Sequence, residues 1–149
     1  MIKIGIVGHG ADKFTQKSAL EAKKIISSIL VPHAGNVTLI SGHSPVGGID
    51  IWAEDCARLN QFPMELKVPK QHKWDAEYGF KQRNEDIAKE SDEVHIILVN
   101  KYPPEYYGMR FAMCYHCKKS DHVKSGGCWT GKVAERLGKK VIWHIINND

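Results

Sequence analysis

Three of the four cysteines fall in one short pattern, Cys114-x2-Cys117-x4-His122-x5-Cys128. Thiolates and imidazole are the donors of tetrahedral divalent ions. Two cysteines two residues apart can wrap one side of such an ion while a histidine and a third cysteine close the other. The stretch also holds Lys118, Lys119, Ser120 and Asp121, so it has no core in which to bury three free thiols. The expectation is zinc held by Cys114, Cys117, His122 and Cys128, lending folding free energy to a segment too polar to collapse alone. His116 stands between the paired cysteines, so its side chain should point away from their shared ion. Cys56 reads as a buried structural thiol on the apolar face of a helix.

A second chemistry resides in three glycine-bearing turns: Gly8-His9-Gly10, Gly42 through Gly48, and Gly126-Gly127. Each stands before a helical pattern, where parallel sheets bind anions against helix N-termini. Ser41 and Asp50 flank the second turn and offer a hydroxyl and a carboxylate to phosphate and ribose. Arg83 and Asn84 precede the apolar stripe of their helix and, taken as an isolated pair, fit a solvated helix face. Thr130 adds a hydroxyl after the last turn. Lys13 occupies the third glycine position of the first turn, so the dinucleotide fingerprint is absent.

The elements that would position these residues follow from periodicity. Lys3 to Val7 reads as a strand, and Leu20, Ile25, Ile26, Ile29 and Leu30 recur at helical steps until Pro32, Gly35 and Asn36. Val37 to Ser41 is a second strand, rich in β-branched residues. Asp50 can cap a helix that carries Ile49, Trp52, Ala53, Cys56 and Ala57 inward and closes near Asn60. Met64 to Val68 is a short strand. From about Asp75 to Glu90, Tyr78, Phe80, Ile87 and Ala88 fit a more exposed helix, and Val94 to Val99 is the expected central strand. Gly131 to Gly138 reads as a last helix, with Gly138 in the left-handed position that ends helices, and Val141 to Ile146 as the last strand. Alternating strands and helices imply right-handed crossovers and an α/β, Rossmann-like three-layer sandwich with a mainly parallel sheet. One domain over residues 1–149 is expected, with 101–128 as a zinc-binding insert before the last helix.

The run Ser41-Gly42-His43-Ser44-Pro45-Val46-Gly47-Gly48-Ile49-Asp50-Ile51-Trp52-Ala53-Glu54 is followed by Arg83-Asn84, by Ser91-Asp92-Glu93-Val94 ahead of a strand, and by Gly126-Gly127-Cys128-Trp129-Thr130. Together they resemble the SLOG superfamily, Rossmann-like nucleotide-binding domains that include the DNA-processing protein DprA, the cytokinin-activating LOG phosphoribohydrolases and the small YspA-like proteins. The similarity is closest to the YspA-like branch and covers the chain apart from residues 101–125. It implies a nucleotide site at Gly8, His9, Gly10, Ser41, Gly42, His43, Gly47, Gly48, Asp50, Arg83, Asn84, Gly126, Gly127 and Thr130. The LOG pattern at the last turn resembles Pro-Gly-Gly-x-Gly-Thr-x-x-Glu. Here Ser125 replaces its proline, Trp129 its third glycine and Val133 its glutamate, so the catalytic carboxylate of that branch is missing.

The metal pattern is within one residue of the zinc knuckle, and Tyr115, Lys118, Lys119 and Lys124 surround it as in knuckles that stack bases. With 149 residues, 42% hydrophobic and 26% charged, and a formal charge of +4, the composition is that of a globular protein. No apolar run approaches the roughly 18 residues of a membrane span. No secretory signal opens the chain, so a cytoplasmic location is expected, without membrane association. The first functional reading is binding of a nucleotide or nucleotide-derived small molecule beside a structural zinc. A nucleotide N-glycosidase, with Asp50 or Glu54 in the role lost at Val133, is one alternative. A single-stranded nucleic-acid binder built on the knuckle is the other. Tyr102, Tyr106, Tyr107 and Phe111 offer a surface for a homo-oligomer.

Overall fold

The computed structural model describes every residue except Ala76 and Tyr78, so the expected place of Tyr78 in a helix lies outside the described residues. Five strands, β1 (Ile2–Gly8), β2 (Val37–Ser41), β3 (Met64–Leu66), β4 (Glu93–Val99) and β5 (Lys140–Ile146), form one sheet in the order β3-β2-β1-β4-β5. Every pairing is parallel. Four helices cross over between them: α1 (Gln16–Leu30), α2 (Ile49–Leu59), α3 (Phe80–Glu90) and α4 (Gly127–Arg136).

Strand alternation splits the core in two. Ile4 and Ile6 of β1, Leu39 of β2, and Ile97 and Val99 of β4 meet Ala22, Ile26 and Leu30 of α1 and Ile49, Ala53 and Ala57 of α2. Val7, Ile40, Val94, Ile96 and Leu98 point the other way, to Ile87 and Ala88 of α3 and Cys128 and Ala134 of α4. Near-continuous apolar runs such as Val94–Val99 are what a sheet covered on both faces demands. The expected three-layer α/β architecture is therefore observed.

Local signals set the boundaries. Thr15 and Ser18 cap α1 reciprocally, Thr15 Oγ1 accepting from the Ser18 amide at 3.1 Å and Ser18 Oγ from the Thr15 amide at 2.8 Å. Leu20 was expected on the inward stripe but is exposed, because the buried face runs through Ser18, Ala22, Ile26, Ile29 and Leu30. Asp50 does not cap α2. Gly48 holds that position with φ 79°, and Asp50 sits in the first turn. β3 stops at Leu66, and α3 starts at Phe80, five residues later than expected, because the Asp75 carboxylate turns back to the Glu77 amide. α4 starts at Gly127, earlier than expected, and Gly138 has the anticipated positive φ of 73°.

β1, β2 and β3 run outward to one side, and the chain then crosses to β4 on the other flank of β1. This reversal opens a crevice beyond the carboxyl ends of β1 and β4, where parallel sheets place ligands. Residues 100–126 hold no helix or strand and cover that end. Within this loop the Tyr102 and Tyr106 rings stack at 4.7 Å with Arg110 against both, and Phe111 packs edge-on to Tyr115. Tyr107 is fully exposed. Among the described residues no helix is long and apolar enough to cross a membrane.

Two glycines with positive φ separate backbone strain from crowding. At Gly35 (φ 81°) an added Cβ meets nothing within 4 Å, whereas at Gly48 (φ 79°) it would overlap the His9 carbonyl and the backbone of Gly10 and Ala11. Gly35→Ala should cost about 1 to 2 kcal/mol, the ordinary left-handed penalty. Gly48→Ala should cost clearly more, because backbone cannot yield cheaply. Equal losses in denaturant unfolding would contradict this packing of the first turn against the second.

Candidate metal centre and ligand cleft

One ligand atom from each of Cys114, Cys117, His122 and Cys128 lies within 4.8 Å of the others. The Cys114 amide donates to Lys119 O at 2.9 Å and the Lys118 amide to Cys114 O at 2.7 Å, with Lys118 in the left-handed region (φ 59°). This tight turn aims two thiols at one point. His122 Nδ1 donates to Val123 O at 2.8 Å, which leaves the Nε2 lone pair facing Cys117 Sγ at 3.1 Å and Cys128 Sγ at 3.5 Å. A backbone carbonyl commonly fixes a metal-binding histidine in this way. The Cys128–His122 separation matches the edges of about 3.5 to 3.8 Å in a tetrahedron of zinc bond lengths, and the Cys117–His122 separation is shorter.

The crowding of thiols shows in their acidity. Hydrogen bonding from the Cys128 thiol is the main influence pulling Cys114 down, to about 4, while the same contact and burial drive Cys128 strongly up. Burial also raises Cys117. The cluster by itself stabilises one shared negative charge and resists a second. A divalent ion removes that conflict by deprotonating the sulfurs outright. The four residues could therefore hold a metal ion, and their chemistry is compatible with zinc. His116 stays outside the cluster, as expected, and its ring packs on Trp74 at 4.5 Å.

Beside the cluster, a cleft of about 400 Å³ opens at the crevice between β1 and β4. β1 contributes Val7 and Gly8, the β2–α2 loop Ser44, Pro45 and Val46, and α2 Asp50. Phe80, Arg83 and Asn84 come from α3, and Trp74 from the segment before it. The loop that carries the Cys/His cluster and the start of α4 supply His116, Lys124, Ser125, Gly126 and Gly127. Of the residues expected at the site, the structure thus brings together Gly8, Asp50, Arg83, Asn84, Gly126 and Gly127.

Arg83 is held by its neighbours. Its Nε donates to Asn84 Oδ1 at 2.8 Å and one terminal nitrogen to Gly42 O at 2.7 Å, while Asn84 Nδ2 donates to Gly126 O at 3.0 Å. Both ends of the Asn84 carboxamide are engaged, so Asn84 positions Arg83 and ties α3 to the turn before α4. Among the described residues the second terminal nitrogen of Arg83 makes no hydrogen bond. Asp50 accepts from the Ser44 amide at 3.1 Å. Burial pushes its carboxyl up to about 6, opposed chiefly by the positive charge of Arg83. Lys124 adds a second cation, its Nζ 4.5 Å from the centre of the Phe111 ring.

The other expected residues do different work. His9 is buried, and its Nδ1 accepts from the Val99 amide at 3.1 Å, which fixes the proton on Nε2. That proton is shared between Val123 O at 2.9 Å and Lys124 O at 3.2 Å, so His9 clasps the loop to β4 and has no nitrogen left for a ligand. Burial lowers its basicity to about 4. Ser41 Oγ donates to Glu54 Oε2 at 2.7 Å, and His43 Nδ1 lies 2.6 Å from Glu54 Oε1. Glu54 is wholly buried with both oxygens occupied, so of the two carboxylates considered for catalysis Asp50 is the one in the cleft. Thr130 is completely buried and its hydroxyl has no partner among the described residues. Gly10, Gly42, Gly47 and Gly48 shape the two turns without lining the cleft.

The start of α4 also departs from a bare anion site, because Ser125 engages two of its amides. Ser125 Oγ accepts from Gly127 N at 3.1 Å and Ser125 O from Cys128 N at 3.3 Å. Trp74, Phe80, His116 and Lys124 were not expected in the cleft. Nothing local marks them, since each is brought there by tertiary folding.

No family model matches this chain, and no curated protein is found as a relative. The X-ray structure of TM1055, a structural-genomics target, superimposes with a TM-score of 0.60 over 95% of this chain and 72% of its own, at 14% identity. At that identity the likeness shows a shared Rossmann-like fold.

The two shifted groups oppose each other in acid. Asp50, raised when folded, contributes stability in full below about pH 4 and loses it as pH rises through about 6. His9, lowered when folded, contributes in full above about pH 6.5 and loses it as pH falls towards 4. Each amounts to about 3 kcal/mol. Asp50→Asn should therefore be more stable than the native chain above pH 6, by up to about 3 kcal/mol, and nearly equal to it below pH 4. A difference in unfolding free energy that does not vary with pH would contradict the burial of Asp50.

Proposed function

We propose that this chain is a SLOG-like domain that binds a nucleotide or nucleotide-derived small molecule in the cleft, with zinc in the adjoining Cys114–Cys117–His122–Cys128 centre. The observation that carries the reading is the convergence of Asp50 and Arg83 with the backbone of Gly8, Gly126 and Gly127 at the reversal point of the sheet. In this reading Arg83 and Lys124 meet phosphate, Asp50 accepts from ribose hydroxyls, and Asn84 keeps the guanidinium in place. Ser125 already satisfies the first amides of α4, so side-chain cations carry more of the phosphate binding than helix amides do. The zinc holds Cys128 beside Gly127 and thereby steadies the turn that faces the ligand.

A second reading is favoured by one feature, the Asp50 carboxyl with its protonation midpoint near 6 in the cleft. Such a group can trade a proton near neutral pH, as hydrolysis of an N-glycosidic bond requires. Free base released from nucleoside monophosphates by the native chain, and not by Asp50→Asn, would establish it.

Elemental analysis of protein purified without chelator should find one zinc per chain. Calorimetric titration with AMP should show binding that Arg83→Ala weakens by roughly tenfold to a hundredfold, the loss of a charged hydrogen bond of about 1.5 to 3 kcal/mol. Stripping the metal from protein that stays folded should also weaken AMP binding, since the turn must then be ordered at the ligand's expense. Unchanged affinity in both cases would move the site elsewhere.

A further inference from the structure

Asp50, Arg83 and Lys124 suit ribose and phosphate, and they leave one side of the cleft without a role. That side is aromatic. Trp74, from the segment between β3 and α3, and His116, from the metal-binding loop, line the cleft together with ring centroids 4.5 Å apart and planes tilted by 48°. Phe80 lines it too, with the Arg83 guanidinium 5.3 Å from its ring centre.

The placement of both rings has a structural cause. His116 lies between Cys114 and Cys117, whose sulfurs turn to one side, so its ring is presented on the other, towards the cleft. Trp74 lies over Gly126, where an added Cβ would come within 3.1 Å of the indole, so the glycine there leaves room for it. Trp74 nevertheless keeps 43% of its surface exposed. A large apolar ring half-exposed inside a charged cleft is a surface that a flat, weakly polar group can cover.

We infer that Trp74 and His116 form the base-binding wall of the cleft and take the nucleobase of a mononucleotide by stacking. The inference rests on the nucleotide reading above and adds to it the part of the ligand that separates a nucleotide from a bare sugar phosphate. Stacking accepts any base face, because every base has one. The volume of about 400 Å³ is of the size that takes a single small ligand. Ligands that lack a planar ring, such as ribose 5-phosphate, should engage the charged groups and gain nothing from the wall. The loop that carries the metal centre thus supplies one of the two rings that meet the base.

The test compares AMP with ribose 5-phosphate by calorimetry on the native chain, Trp74→Ala, His116→Ala and Trp74→Phe. AMP affinity should fall at least tenfold in each alanine variant, while ribose 5-phosphate affinity stays unchanged and reports that the site is still folded. Trp74→Phe should recover most of the AMP affinity. Equal losses for the two ligands, or no loss of AMP affinity, would overturn the aromatic wall while leaving the nucleotide site standing. A native chain that binds neither ligand would overturn the nucleotide reading itself.

Discussion

Everything at the carboxyl end of the sheet depends on how a polar loop, residues 100–126, is fastened between β4 and α4. Its aromatic residues pack largely on one another, as Tyr102 on Tyr106 and Phe111 on Tyr115, so its fastening to the strands rests on polar and specific contacts. The neutral imidazole of His9 takes an amide hydrogen from β4 and returns its own to Val123 and Lys124, which fixes where the loop leaves the sheet. The Cys114–Cys117–His122–Cys128 cluster draws the middle of the loop onto the first turn of α4. Both fastenings lie against the cleft: Lys124, Ser125 and Gly126 follow directly from one, and His116 and Gly127 neighbour the other.

Two buried carboxylates on α2 show how one helix separates structure from chemistry. Glu54, wholly enclosed, accepts from Ser41 and sits against His43, closing the end of β2. Asp50, one turn earlier, takes a single amide hydrogen from Ser44 and faces the cleft opposite the charge of Arg83. Asn84 and the Gly42 carbonyl hold that guanidinium in a fixed direction, so little freedom is lost when an anion meets it.

The alternation of strands and helices, the three-layer architecture and the Cys/His cluster were legible because their signals are local: apolar period, glycine punctuation and the spacing of three cysteines and a histidine. The site was legible in part. Asp50, Arg83 and Asn84 were placed by resemblance, but their division of labour depends on hydrogen bonds across as many as 42 residues, such as that from Asn84 to Gly126, which no window of sequence contains. His9 misled because a histidine in a glycine turn looks like a ligand group until the amide of Val99 and the carbonyls of Val123 and Lys124 are known to occupy it. Trp74 and His116 were missed for the same reason. One belongs to an irregular segment and the other to a loop whose sequence pattern marks only its cysteines and His122.

The most direct measurement is a crystal structure of the chain with AMP, recorded on both sides of the zinc absorption edge. The proposed function predicts an anomalous peak among the four metal-binding side chains and nucleotide density in the adjoining cleft, with phosphate at Arg83 and ribose at Asp50. Nucleotide density elsewhere, or a cluster without the peak in protein kept from chelators, would contradict it.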